Sequence, residues 1–113
     1  MTGAMEYREK DGVGWLCFPE WEREQPWVRH AFSTRCGGVS EGPFSAMNLG
    51  FGRGDGEENV RENYRRFCRA AGFPEEGLVA SAQDHHTVVR RVDRADAGAG
   101  IWRPKAWQGV DGL

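Results

Sequence analysis

One fifteen-residue stretch, Glu57 to Ala71, constrains this chain more than any other. Val60, Tyr64, Phe67, Cys68 and Ala71 recur at the spacing that puts side chains on one stripe of an α-helix, while Arg61, Glu62, Arg65, Arg66 and Arg69 fall on the other side. A helix with a single apolar stripe has to bury it, and the layer expected here is a sheet. Asp55 followed three residues later by Glu58 predicts a capping box at the start. Gly72 followed by Pro74 predicts the stop.

The strands must come from the flanks. Gly12 to Phe18 (GVGWLCF), bounded by Asp11 and Pro19, is short, apolar and aromatic, and reads as a strand. The charged stretch EWEREQPW that follows reads as a turn or loop, and Trp27 to Thr34 as a second strand leading into Gly37-Gly38. Gly77 to Ala82 and Thr87 to Val92 look like two further strands, separated by Gln83, Asp84, His85 and His86. Asp93 to Gln108 reads as a loop, and GVDGL at the end as the start of another strand.

At 113 residues, 39% of them hydrophobic and 16 of them Gly, the chain fits one small domain with a lean core. Five Trp and six Phe are a heavy aromatic load for so short a chain to cover. Lys+Arg 15 against Asp+Glu 17 gives a net charge of −2, which fits neither a polycationic nucleic-acid binder nor an acidic tail. There is no apolar run of membrane-spanning length and no apolar stretch at the N-terminus of the kind a secretory signal needs, so a soluble, cytoplasmic protein is expected. Cys17, Cys36 and Cys68 are an odd set without C-x-x-C spacing, which indicates reduced thiols rather than a disulfide framework or a zinc ribbon.

Candidate chemistry is concentrated in two places. The segment from Arg35 to Asp55 carries six glycines, a density that requires repeated positive φ or close approach of the backbone to something. Arg35, beside a glycine turn, suits an anion such as phosphate or carboxylate; the plainer reading is a surface Arg next to a hairpin. GFGRGD matches neither the P-loop nor the dinucleotide fingerprint. Cys17 and Cys68 read as core residues and Cys36 as the one candidate for an exposed thiol. The second place is the His85-His86 pair, where either imidazole could serve as a metal ligand or as an acid/base, or one could cap a strand end while the other is solvated. Arg90, Arg91 and Arg94 read as a solvated face balanced by Asp93 and Asp96.

Taken in order, HAFSTRCGGVSEGPFSAMNLG, then GDGEENVRENYRRF, then the Gln83-x-His85 step and the closing VDGL resemble the N-terminal part of the laccase-domain family. Its members are also called multicopper polyphenol oxidoreductase-like proteins and purine nucleoside phosphorylases. The resemblance runs from about His30 to Leu113. It implies an α+β fold, a mixed sheet with packed helices forming the N-terminal part of the laccase-domain (cysteine hydrolase-like) fold, with residues 1–113 a single partial domain. It further implies a zinc-centred site that acts on purine nucleosides with phosphate, by phosphorolysis of adenosine and inosine and in some members by deamination.

In that family the metal is held by the His of the Q-x-H step, which maps to His85, together with a Cys and a second His from T-A-D-C and H-A-G-W-R type motifs. Those motifs lie downstream of VDGL, so an N-terminal fragment, inactive alone, is expected. Arg35, Asn48 and Gln83 carry over as substrate or phosphate contacts. Copper receives no support from three His in total. A non-catalytic nucleoside- or anion-binding module is the alternative, and self-association through uncovered apolar surface a third reading. Some of Trp15, Trp27, Trp102 and Trp107 should then be unusually exposed.

Overall fold

Asp11 and Gly12 both adopt positive φ, 53° and 81°. Two consecutive residues of this kind make the two-residue turn whose twist matches a right-handed hairpin, and Asp-Gly is the preferred sequence for it. In the computed structural model, which describes residues 4–113, that turn joins β1 (Glu6–Lys10) to β2 (Val13–Cys17) in an antiparallel pair running from Glu6↔Cys17 to Lys10↔Val13. β2 is the strand expected within Gly12–Phe18. β1 was hidden because EYREK is polar and largely exposed, with no apolar alternation to announce it.

The charged stretch after Phe18 is a correction: it forms a short helix, α1 (Pro19–Glu24), rather than a loop. Proline in the first turn and Glu20 and Glu22 near the helix start are favourable local signals that its charge obscured. The strand expected over Trp27–Thr34 shrinks to β3 (Phe32–Ser33), antiparallel to β2 with Trp15↔Ser33 and Leu16↔Phe32. Before Phe32 the ladder is replaced by a side chain, since the Phe18 N–H donates to His30 Nε2 at 2.7 Å.

The helix α2 spans Glu57–Ala71 as expected and packs on β1 and β2. Gly72 takes the left-handed conformation at φ 86° and donates to Cys68 O at 2.9 Å, ending it as predicted. The capping box does not form. Gly56 is the N-cap, Glu58 pairs with Arg61, and both Asp55 carboxylate oxygens are engaged elsewhere. Val13, Met47 and Ala70 form the buried cluster, with Trp15, Leu49 and Phe67 packed against it. Cys17 and Cys68 are both buried, and Cys36 is exposed.

The chain divides into two compact units, the first ending at Phe73 and the second running from Pro74 to Leu113. The α+β character belongs to the first. In the second, the expected strands Gly77–Ala82 and Thr87–Val92 are absent as such; the backbone makes isolated parallel bridges, Ala82↔Gln108 and Val89↔Gly112. Val88 and Val89 stay exposed, so Thr87–Val92 buries no apolar face that would pin a regular ladder. The loop from Asp93 contains one helical turn, Arg94–Asp96, closed by a reciprocal Asp93–Asp96 cap. Trp102 Nε1 donates to Glu75 O at 2.6 Å, tying that loop to the start of the unit. Among the four tryptophans expected to stand out, Trp27 is 75% exposed, while Trp15, Trp102 and Trp107 are half-buried.

Candidate functional site

The glycine-rich segment is held by a polar side chain that the apolar pattern of α2 concealed. Asn63 is fully buried. Its Oδ1 accepts from the Val39 N–H at 2.7 Å, and its Nδ2 donates to Ser40 Oγ at 2.9 Å and to Asn48 O at 2.8 Å. One amide therefore fastens two loop segments to the helix with every strong group used. Ser40 Oγ donates to Asp55 Oδ2, which also accepts from Asn48 Nδ2 at 3.1 Å. Asp55 Oδ1 takes the Gly56 N–H and Asn59 Nδ2. The Ser40 hydroxyl first, then the Asn48 amide, hold the Asp55 carboxyl below its ordinary range. Next along the loop, Tyr64 Oη donates to Leu49 O at 2.6 Å while its ring stacks on Phe51 at 6.0 Å. Burial pushes the Tyr64 phenol up, so it remains the donor.

Gly37 and Gly38 account for the close approach that the glycine density predicts. At Gly37, with φ 98°, a Cβ would lie 2.6 Å from Val13 Cα, and at Gly38 it would collide with the Ala46 carbonyl oxygen. The backbone thus folds tightly over β2 and back onto Ala46–Met47, whose N–H groups both donate to Arg35 O.

This arrangement leaves Arg35 and Asn48 lining one hollow of about 200 Å³, with Pro43, Phe44 and Met47 among its walls. The Arg35 side chain is exposed and has no carboxylate partner among the described residues. A guanidinium held on a stiff loop without a counter-ion can receive an anion. Asn48 is different: its amide already donates to Gly50 O and Asp55 and accepts from the Gly50 N–H, which shapes the turn beside the hollow. A larger hollow of about 310 Å³ in the same unit is lined by Arg8, Glu22, Arg29 and His30. There Arg8 is bound to Glu22 at 2.7 Å and Arg29 donates to Gly72 O, so both cations are engaged.

Gln83 and His85 lie in the second unit, exposed on one step of the chain. The two adjacent histidines are not equivalent. His86 Nδ1 sits 2.9 Å from Asp84 Oδ1, whereas the His85 imidazole has no such partner among the described residues, and His85 alone takes a positive φ, 64°. Among the described residues no group of three or more His, Cys, Asp or Glu is placed to hold a metal ion. A catalytic zinc needs about three protein ligands, so His85 by itself does not make a zinc centre. The basic cluster nearby is less bland than its sequence suggests, since Arg90 lies over the Trp107 ring at 4.6 Å.

Sequence comparison decides the family. The profile described as multi-copper polyphenol oxidoreductase laccase matches residues 29–113. The chain belongs to that family. Over 82 residues, 72% of the chain, it is 38% identical to the purine nucleoside phosphorylase YlmD of Geobacillus stearothermophilus, covering 30% of that protein. It is 37% identical to a purine nucleoside phosphorylase of Corynebacterium glutamicum over 66% of the chain and 30% of the relative. The Escherichia coli purine nucleoside phosphorylase YfiH is 39% identical over 52% of the chain and 24% of its own length. The chain therefore spans less than a third of the length of these relatives. No helix among the described residues of this laccase-family chain is long and apolar enough to cross a membrane.

Proposed function

We propose that the chain is part of a cytoplasmic purine nucleoside phosphorylase acting on inosine and adenosine, with adenosine deamination as a second activity of the same enzyme. In phosphorolysis a phosphate oxygen bonds to the anomeric carbon, the bond from that carbon to the purine nitrogen breaks, and the base leaves with a proton. The observation that carries the reading is the Arg35 guanidinium, exposed and without a carboxylate partner among the described residues, on a loop that Asn63 and Asp55 hold fixed. A cation rooted on a held backbone would have only its own side chain to order when it takes up phosphate. Gln83 and His85 would face the nucleoside from their exposed step. His85 would also be one ligand of the enzyme's zinc, with the remaining ligands coming from the part of the relatives' length that this chain does not span.

The test has two arms. Inorganic phosphate binding to the 113-residue chain, followed by calorimetry, should weaken about tenfold or more in Arg35→Met, the size expected for losing one charge-assisted contact. Unchanged binding would remove Arg35 from the proposal. Release of ribose 1-phosphate from inosine, with zinc added, should be undetectable for the chain alone. Robust turnover would show that no further ligands are needed, while nucleoside binding without turnover in the complete enzyme would favour a non-catalytic binding module.

A further inference from the structure

The second unit contains a construction that explains how the His85 step is presented. Two extended segments run side by side, bridged in parallel at Ala82↔Gln108 and at Val89↔Gly112. Seven positions separate the bridges on the first segment and four on the second, so the first carries three extra residues. An insertion of this kind bulges, and the N–H groups of the extra residues lose the partners a ladder would have given them. Here the loss is made good by one side chain. Asp111 Oδ1 accepts from the Asp84 N–H at 2.7 Å and from the His85 N–H at 2.8 Å, and Asp111 Oδ2 accepts from the His86 N–H at 2.7 Å. Three successive amides converging on one carboxylate form a small anion nest, occupied by the protein's own charge.

Asp111 is itself held in place by the backbone. Its N–H donates to Val88 O at 2.9 Å, the next N–H, of Gly112, donates to the same oxygen, and Arg90 N donates to Gly112 O at 2.9 Å. Ser81 Oγ fixes Val110 O from the other side of the bulge at 2.6 Å. Asp84, the first residue of the nest, takes up the His86 imidazole. The two carboxylates therefore divide the histidine pair between them: one holds the backbone of the step, and the other occupies His86, leaving His85 as the imidazole on offer.

We infer that Asp111 is the positioning residue of the His85 step, its carboxylate holding His85 in the left-handed conformation from which the imidazole is presented. It does not touch substrate; it acts through the backbone of residues 84–86. The inference deepens the reading of His85 as a functional group and rests on it for its consequence, although the three hydrogen bonds are independent of any ligand.

Nuclear magnetic resonance on the whole chain tests it, with amide exchange at His85 and His86, the backbone couplings that report the φ of His85, and the Trp102 indole N–H as the internal control for a folded second unit. In Asp111→Ala the His85 and His86 amides should exchange about tenfold faster or more, as expected for losing hydrogen bonds to a charged acceptor. The His85 backbone should also leave its left-handed φ of 64° while the Trp102 indole stays protected. Asp111→Asn, which keeps one acceptor oxygen, should retain part of the protection and part of the left-handed population at His85. If Asp111→Ala disturbs the indole as well, the Asn variant decides. Wild-type protection of both amides, or an unchanged left-handed φ at His85, in either folded variant would overturn the assignment. His85→Ala separates this from the functional reading: it leaves the His86 bond to Asp111 intact, so unaltered nucleoside binding in that variant would dismiss His85 while Asp111 kept its structural place.

Discussion

The glycine-rich loop of the first unit and the histidine step of the second solve the same problem with opposite means. Both are irregular stretches whose backbone groups lack ladder partners, and both carry candidate functional side chains. The loop is fastened from beneath by a buried amide on a helix, Asn63, which reaches Val39, Ser40 and Asn48, with the Asp55 carboxylate as a second tie at Ser40 and Asn48. The step is fastened by an exposed stretch of backbone closing on a single carboxylate, Asp111. A buried fastening is cooperative with the core, because it fails only when the helix leaves. A carboxylate fastening is local and responds to protonation. Fixed support suits Arg35, which has only to stay in place with its charge; the step around His85 depends on one ionised group.

The comparison can be broken most forcefully at Asn63. Asn63→Ala leaves the Val39 N–H, the Ser40 hydroxyl and the Asn48 carbonyl short of a partner in a buried place, and should destabilise the first unit by about 3 kcal/mol. Urea denaturation checks this: the midpoint should fall with little change in slope. A loss below about 0.5 kcal/mol would mean the loop is not tied to the core through this amide.

A smaller effect is expected at the end of the same helix. Gly72→Ala forces a Cβ into the left-handed conformation at φ 86° and should cost about 1 kcal/mol without changing the exchange rates of residues 84–86.

The smallest effect at neutral pH, and the sharpest for the comparison, is an acid titration. Burial pushes the Asp111 carboxyl up, but the N–H donations from Asp84, His85 and His86 together outweigh it, leaving the group below its usual 3.8. A depressed carboxylate contributes stability that is fully present above the unfolded value and is lost as pH falls through the folded one. Amide protection at His85 and His86 should therefore be flat from neutral pH to about 5 and collapse only below the ordinary carboxylate range. The Val39 amide, bound to an Asn that does not titrate, should keep its protection through that range, even as protonation of Asp55 loosens its ties to Ser40 and Asn48. Joint loss of the two signals at one pH would erase the distinction between the supports.

The parts of this molecule that a reader of the sequence could find were those governed by neighbours. The α2 boundaries follow from a 3.6-residue period and a glycine stop, and β2 follows from a short apolar run between turn residues. Arg35 is legible from the glycine turn beside it and the histidine pair from its place between two expected strands, while motif order adds Asn48 and Gln83 and singles out His85. What escaped were elements whose pattern is weak locally: β1, polar throughout; α1, too short for a period; and the second unit's bridges, which replace expected strands. Asn63 escaped because an Asn on a helix face reads as polar and outward unless its partners are known.

The sequence by itself therefore determined the helix, the central strand, the placing of two chemistry-bearing segments and, through the order of its motifs, the family. It could do so because each depends on side chains a few residues apart. Only the tertiary structure decided how those segments are held and which histidine is left on offer. Asn63 meets Val39 across 24 positions and Asp111 meets His85 across 26, and pairings over that distance exist only once the chain has closed on itself.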